Sequence, residues 1–208
     1  MREQTIGDWL DALGSAASAP GGGAAAAMLV ATSAALVEMV ANLTIGRPRY
    51  AEHEPTMIVA RDTAVQIRTS ALRAADDDER AFDAVAATYK IPKDDPDRSA
   101  AIQRTTAEAA RPPLRTAELA AQVIALAEGI HDGANVNVVS DIAVAASSAR
   151  AALESAAINV EVNLAALHDR ELAATLAAEL ATHLSAADTA TATIHRVREG
   201  FRRMDGRR

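Results

Sequence analysis

The sequence predicts an all-α protein, a bundle of long antiparallel helices forming a single domain over 1–208 and assembling as a dimer. Three observations carry this. Half of the 208 residues are apolar, yet only 2% are aromatic. A quarter are alanine, the best helix former and one small enough to let helices pack closely. No segment alternates with period two for long enough to build a sheet. Alanine buries little apolar area, so pairing with a second copy is the expected way to enlarge the core.

Thr5 is placed to cap a short first helix, with Asp8 completing a capping-box pattern. Ile6, Trp9, Leu10 and Leu13 form its apolar face, and Gly14 ends it. A second helix, from about Gly22 to Thr44, is apolar nearly all round and is expected at the centre. "IGRPRY" reads as a loop. A third helix runs from Glu54 to Tyr89, with a break expected at the acidic cluster Asp76–Glu79. "KIPKDDPD" is another loop, with two prolines and no periodicity. Asp97 is expected to cap a fourth helix, which kinks or restarts at Pro112 and Pro113. "HDGANVN" is a third loop. A fifth helix spans about Val139 to Leu167, and Asp169 caps a sixth that reaches about Arg203. A basic tail from about residue 199 reads as a last helical turn suited to the helix dipole, then a frayed end.

The absence of cysteine excludes disulfides, zinc–thiolate sites and a cysteine nucleophile. The five histidines lack metal-ligand spacing, and no nucleophile elbow occurs. A net charge of −7 argues against a broad nucleic-acid-binding surface. The N-terminus lacks the apolar core of a signal peptide. The most apolar stretch, Ala24 to Val40, carries Glu38 and is read as a core helix rather than a membrane span. The expectation is a cytoplasmic protein with neither nucleic-acid nor membrane partners, and no metal.

Candidate chemistry falls in four places. Gly21, Gly22 and Gly23 are three of ten glycines and feed directly into a helix N-terminus. Free N–H groups and the dipole there suit an anion or polar ligand; a close-packed interhelical turn is the other reading. The spacing fits a dinucleotide fingerprint only formally, since no strand precedes it. Of the 21 basic residues only Lys90 and Lys93 are lysine, both in "YKIPK", so this loop either requires an ammonium or holds them by chance. The run Asp76–Glu79 is a solvated face unless one member is buried among Ala81, Phe82 and Val85. "NVNVVSD" gathers Asn135, Asn137, Ser140 and Asp141 at a helix start, where Asn137 or Ser140 is also placed to cap. Asn159 and Asn163 share one face of an apolar helix and need partners: each other, another helix or a ligand.

The segments "PGGGAAAAM", "LVEMVANLTIGRPRY", "DERAFDAVAATYKIPK", "NVNVVSD" and "NVEVNL" resemble, in order and spacing, the cyclodeaminase/cyclohydrolase family of folate one-carbon metabolism. The resemblance covers about Thr5 to Leu167. It implies a helical homodimer that binds a tetrahydrofolate derivative as substrate, with no tightly bound cofactor. It places Gly21–Gly23, Phe82, Asn135, Asn137, Ser140 and Asn163 at the folate. It suggests Asp141 as general base, Lys90 as pterin-orienting group or acid, and Asp78 as the competing carboxylate. The chain departs from the family pattern at Ala24 (commonly serine), at "RPRY" (commonly lysine-rich) and at Ala134 (commonly glycine). The implied activity is methenyltetrahydrofolate cyclohydrolase or formiminotetrahydrofolate cyclodeaminase. The alternatives are a paralogue acting on a non-folate imine or amidine, and a non-catalytic binding or dimerisation module.

Overall fold

The computed structural model describes the backbone of residues 4–205 and side chains through residue 203. Eight α-helices and no strands occur among the described residues: α1 (Ile6–Leu13), α2 (Gly22–Asn42), α3 (Glu54–Thr88), α4 (Arg98–Ala109), α5 (Arg111–Ile130), α6 (Val139–Ala166), α7 (Arg170–Leu184) and α8 (Ala186–Asp205). Short 3-10 turns at Pro48–His53, His131–Gly133 and Val136–Val138 make the loops at one end.

Local chemistry explains most boundaries. The Thr5 hydroxyl accepts the Asp8 N–H at 3.1 Å and donates to its carboxylate at 2.6 Å. Asp169 accepts from Glu171 and Leu172 N–H groups. The prolines at 112 and 113 restart the chain as α5 rather than kinking one long helix, because their missing N–H groups cost nothing in a first turn.

Four expectations require correction. α3 runs unbroken through Asp76–Glu79; its acidic side chains project outward or into a cavity, and Arg80 pairs with Asp77. Asp97 makes no side-chain cap; its own N–H donates to Asp95. Neither Asn137 nor Ser140 caps α6, whose N-cap is Val138 and has no side-chain cap. The expected sixth helix is two, α7 and α8, meeting at Ser185, whose hydroxyl donates to the Thr182 carbonyl and competes with the helical backbone. Of the basic tail, residues 206–208 lie outside the described residues.

α2 is the central helix, packed chiefly on α3 and α6, and also on α5. Its buried face is Gly23, Ala24, Ala26, Ala27, Val30, Ala31, Ser33, Ala34, Val37, Val40 and Ala41. Such small side chains let the backbones approach closely. Its lone charge, Glu38, pairs with Arg68 of α3 at 3.1 Å. By length and composition α2 and the segment 136–166 are each apolar enough to cross a bilayer. In the fold α2 is the core helix, with 56% of its most apolar window buried, whereas the corresponding window of 136–166 is only 33% buried.

α2 runs antiparallel to both α3 and α6. Its N-terminus meets Asp78 and Asn159, while the residues after its C-terminus meet Asn135: the Asn135 N–H donates to the Thr44 hydroxyl, and its side-chain amide donates to the Leu43 carbonyl. The bundle therefore has two chemically distinct ends, one at each end of α2.

Candidate active site

A cavity of about 350 Å³ opens at the end where α2 begins, within the size range of small-molecule sites. The glycine segment before and at the start of α2 forms one wall. α3 supplies Asp78, Glu79, Phe82 and Val85, with Tyr89 just after its end; α4 supplies Thr106 and Ala109; α6 supplies Asn159, Val162, Asn163 and Ala166.

Asp78 is brought to this wall by the α2–α3 packing. Its carboxylate faces the backbone N–H of Ala24, in the first turn of α2. A Cβ on Gly23 would overlap that carboxylate, so glycine is what lets the two helices bring acid and helix N-terminus together. Gly22 is less constrained: a Cβ there would lie 3.5 Å from the Asn159 amide, an ordinary contact. Gly21 has open space. The glycine triplet thus combines both sequence readings, since Gly23 is required for packing and all three glycines line the cavity.

Burial pushes the Asp78 carboxyl above the usual aspartate range; the Ala24 N–H opposes this, and the Glu79 charge adds to it. Glu79 is itself raised by burial and by neighbouring Asp76. A carboxyl raised in this way, in a concave site, is suited to proton transfer nearer neutral pH than a solvated one.

Asn159 and Asn163 face the cavity from α6. The Asn159 Nδ2 donates to the Ser155 carbonyl at 2.8 Å. The Asn163 Nδ2 donates to the Asn159 carbonyl at 2.8 Å and to the Ala109 carbonyl of α4 at 3.3 Å. Of the sequence's alternatives, neighbouring carbonyls of α6 and α4 take the amide donors.

The remaining candidates fall elsewhere. Phe82 lines the cavity and is 48% exposed. Lys90 is exposed just beyond α3, next to Tyr89 of the rim. Asn137 and Ser140 are exposed, and Asp141 is half-buried in the first turn of α6. Asp141 is 18 positions before Asn159, about 27 Å along the helix, so one protomer does not place it at this cavity. Asn135 is buried, and its hydrogen-bonding groups are engaged locally: besides its bonds to Thr44 and Leu43, its Oδ1 accepts from the Asn137 N–H at 3.1 Å and the Tyr50 hydroxyl at 3.5 Å. In this protomer it clasps the loop after α2 to the loop before α6. Residues not singled out from the sequence as site members include Tyr89, Thr106 and Val162; they lie on ordinary helical faces, and only the tertiary packing marks them.

Fold and cavity together define an all-helical protein with an acid-bearing small-molecule site at a helix N-terminus. The chain belongs to the formiminotransferase-cyclodeaminase family, whose model matches residues 5–182. It is 40% identical over 174 residues to a methenyltetrahydrofolate cyclohydrolase of Methylorubrum extorquens, covering 82% of this chain and 84% of that one. It is 31% identical to the formimidoyltransferase-cyclodeaminase of Sus scrofa over 88% of this chain, and the match spans 34% of that longer protein. The crystal structure of formiminotetrahydrofolate cyclodeaminase from Thermotoga maritima shares the fold, with a TM-score of 0.89, 24% identity and coverage of 96% of this chain and 98% of that chain.

Proposed function

We propose that this protein is a folate one-carbon enzyme working by acid–base chemistry at an amidine carbon, with methenyltetrahydrofolate cyclohydrolase as the first reading. The observation that carries it is the Asp78 carboxylate, half-buried at a cavity wall against the first turn of α2. The relationship to the Methylorubrum cyclohydrolase favours this reaction over its cyclodeaminase counterpart.

The methenyl carbon lies between N5 and N10 and is cationic. Asp78 takes a proton from water as the oxygen bonds to that carbon, giving a neutral carbinolamine. It then returns the proton to N5 as the C–N5 bond breaks. The hydroxyl proton leaves to solvent as the carbonyl forms, so one substrate cation and one water yield 10-formyltetrahydrofolate and one proton. An ionised Asp78 also stabilises the cation before attack. In the cyclodeaminase reaction N10 replaces water as nucleophile at the formimino carbon, and the same acid delivers a proton to the departing ammonia.

Phe82, Val85 and Tyr89 supply flat apolar surface for the bicyclic ring and aminobenzoyl group, and Lys90 and Lys93 beyond the rim meet the anionic tail. The protein assembles as a homodimer through the outward face of α2 and α6. That face carries Leu29, Met39, Leu43, Val144 and Ile158, all at least 36% exposed, and α2 contributes no charge to it beyond the paired Glu38. Incubation of purified protein with methenyl- and formimino-tetrahydrofolate separately tests the reading. Catalysed loss of the methenyl absorbance supports cyclohydrolase, ammonia release from the formimino compound alone supports cyclodeaminase, and neither supports the non-catalytic alternative.

A further inference from the structure

The two asparagines of α6 show which way a ligand must lie. Asn163 directs both amide hydrogens to backbone carbonyls, and Asn159 directs one. A carbonyl only accepts, so the bonded atom of each side chain is the nitrogen, and the amide orientation is fixed. What remains for the cavity is two amide oxygens and the second Asn159 amide hydrogen. Neither oxygen accepts a hydrogen bond from the protein among the described residues. Each oxygen can accept but not donate, and the two side chains sit one helical turn apart on one face, with Cβ atoms about 6 Å apart.

Half-buried acceptors facing a cavity favour donors on the ligand and penalise other acceptors. We propose that Asn159 and Asn163 form a donor-reading wall for the amino-bearing edge of the pterin ring, leaving Asp78 on the facing α3 wall for the reacting carbon. The inference rests on the folate reading of the site. The pterin carries an exocyclic amino group beside a ring N–H, a contiguous donor edge that matches a pair of acceptors. Two wall elements then do two jobs: the asparagines fix the orientation of the ring, and the carboxylate attends the one-carbon bridge.

Equilibrium binding of tetrahydrofolate and of its 2-desamino-2-methyl analogue, measured by calorimetry, tests this. The wild-type protein is expected to prefer the amino ligand by about tenfold or more, the scale of one lost hydrogen bond with a half-buried acceptor left unpaired. Asn159→Leu and Asn163→Leu are each expected to weaken the amino ligand and shrink that preference, while Asp78→Asn keeps it. A merely structural role would weaken both ligands alike. Asn159→Ala serves if a leucine variant fails to fold, and the wild-type preference needs no variant. Wild-type binding of tetrahydrofolate with no preference overturns this inference and leaves the folate reading standing. Loss of the preference in Asp78→Asn, but not in the asparagine variants, transfers the edge to the carboxylate and also overturns it. Failure of the wild type to bind either ligand overturns both the inference and the folate reading.

Discussion

The Asp78 carboxylate occupies the space that a side chain on Gly23 would take. These residues are 55 positions apart, yet each fixes what the other is permitted to be. A Cβ at position 23 would collide with both carboxylate oxygens, and the carboxylate in turn faces the N–H of the next residue, Ala24.

Gly23→Ala therefore affects activity far more than stability. Alanine is favoured over glycine in a helix by about 1 kcal/mol, and the obstructing group is the end of a side chain that can turn away. Stability changes by no more than about 1 kcal/mol, while activity falls because the acid is displaced. Combining it with Asp78→Asn adds little further loss, since both changes remove the same group. Thermal melts and kcat/KM for the single and double variants check this. Gly22→Ala, with only an ordinary contact at the Asn159 amide, keeps most activity.

The raised Asp78 carboxyl makes a signed prediction. Its folded-state value lies above its unfolded one, so between the two values the folded chain binds more protons. Stability contributed by this group falls as pH rises through that window, and above it the ionised form is a net cost. Asp78→Asn removes that cost. The variant should melt at a higher temperature than wild type at pH 7, and the difference should close as pH falls toward about 4, the ordinary aspartate value. Scanning calorimetry of both proteins across that range measures it.

The helical class and several helix limits were legible because they are local. Thr5 and Asp169 cap through hydroxyl or carboxylate contacts two or three residues away, and Pro112 announces a restart at short range. Asp97 has the right residue type but no capping geometry, and the α7–α8 division at Ser185 has neither proline nor glycine to mark it. The lining of the cavity was legible in part. Gly21–Gly23, Asp78, Phe82 and Asn163 do converge, but the sequence cannot show that Asn135 is engaged by Leu43, Thr44 and Tyr50, since those bonds join segments some 90 residues apart. Nor does it reveal that Asp141 sits at the other end of α6.

Asn135→Ala tests the clasp. It strands the Leu43 carbonyl and the Asn137 N–H, at a cost of about 1–3 kcal/mol. Below its melting temperature the variant should retain wild-type KM, whereas a folate-contacting residue would raise it.

The α2–α6 face predicts the assembly. Ile158→Glu places a charge at a position 61% exposed in the protomer. The wild type should sediment at twice the 21.7 kDa chain mass and the variant at that mass, with its helical content unchanged.

The most direct test follows methenyltetrahydrofolate loss by near-ultraviolet absorbance, after subtraction of the uncatalysed rate, for wild type, Asp78→Asn and Asp141→Ala side by side. The account predicts catalysis by wild type, a loss of about 100-fold or more in Asp78→Asn, and turnover within about threefold of wild type in Asp141→Ala, since that residue lies far outside the cavity of its own protomer. Full activity in Asp78→Asn, with activity abolished in the folded Asp141→Ala protein, would contradict the account and move the acid–base group to the opposite end of α6.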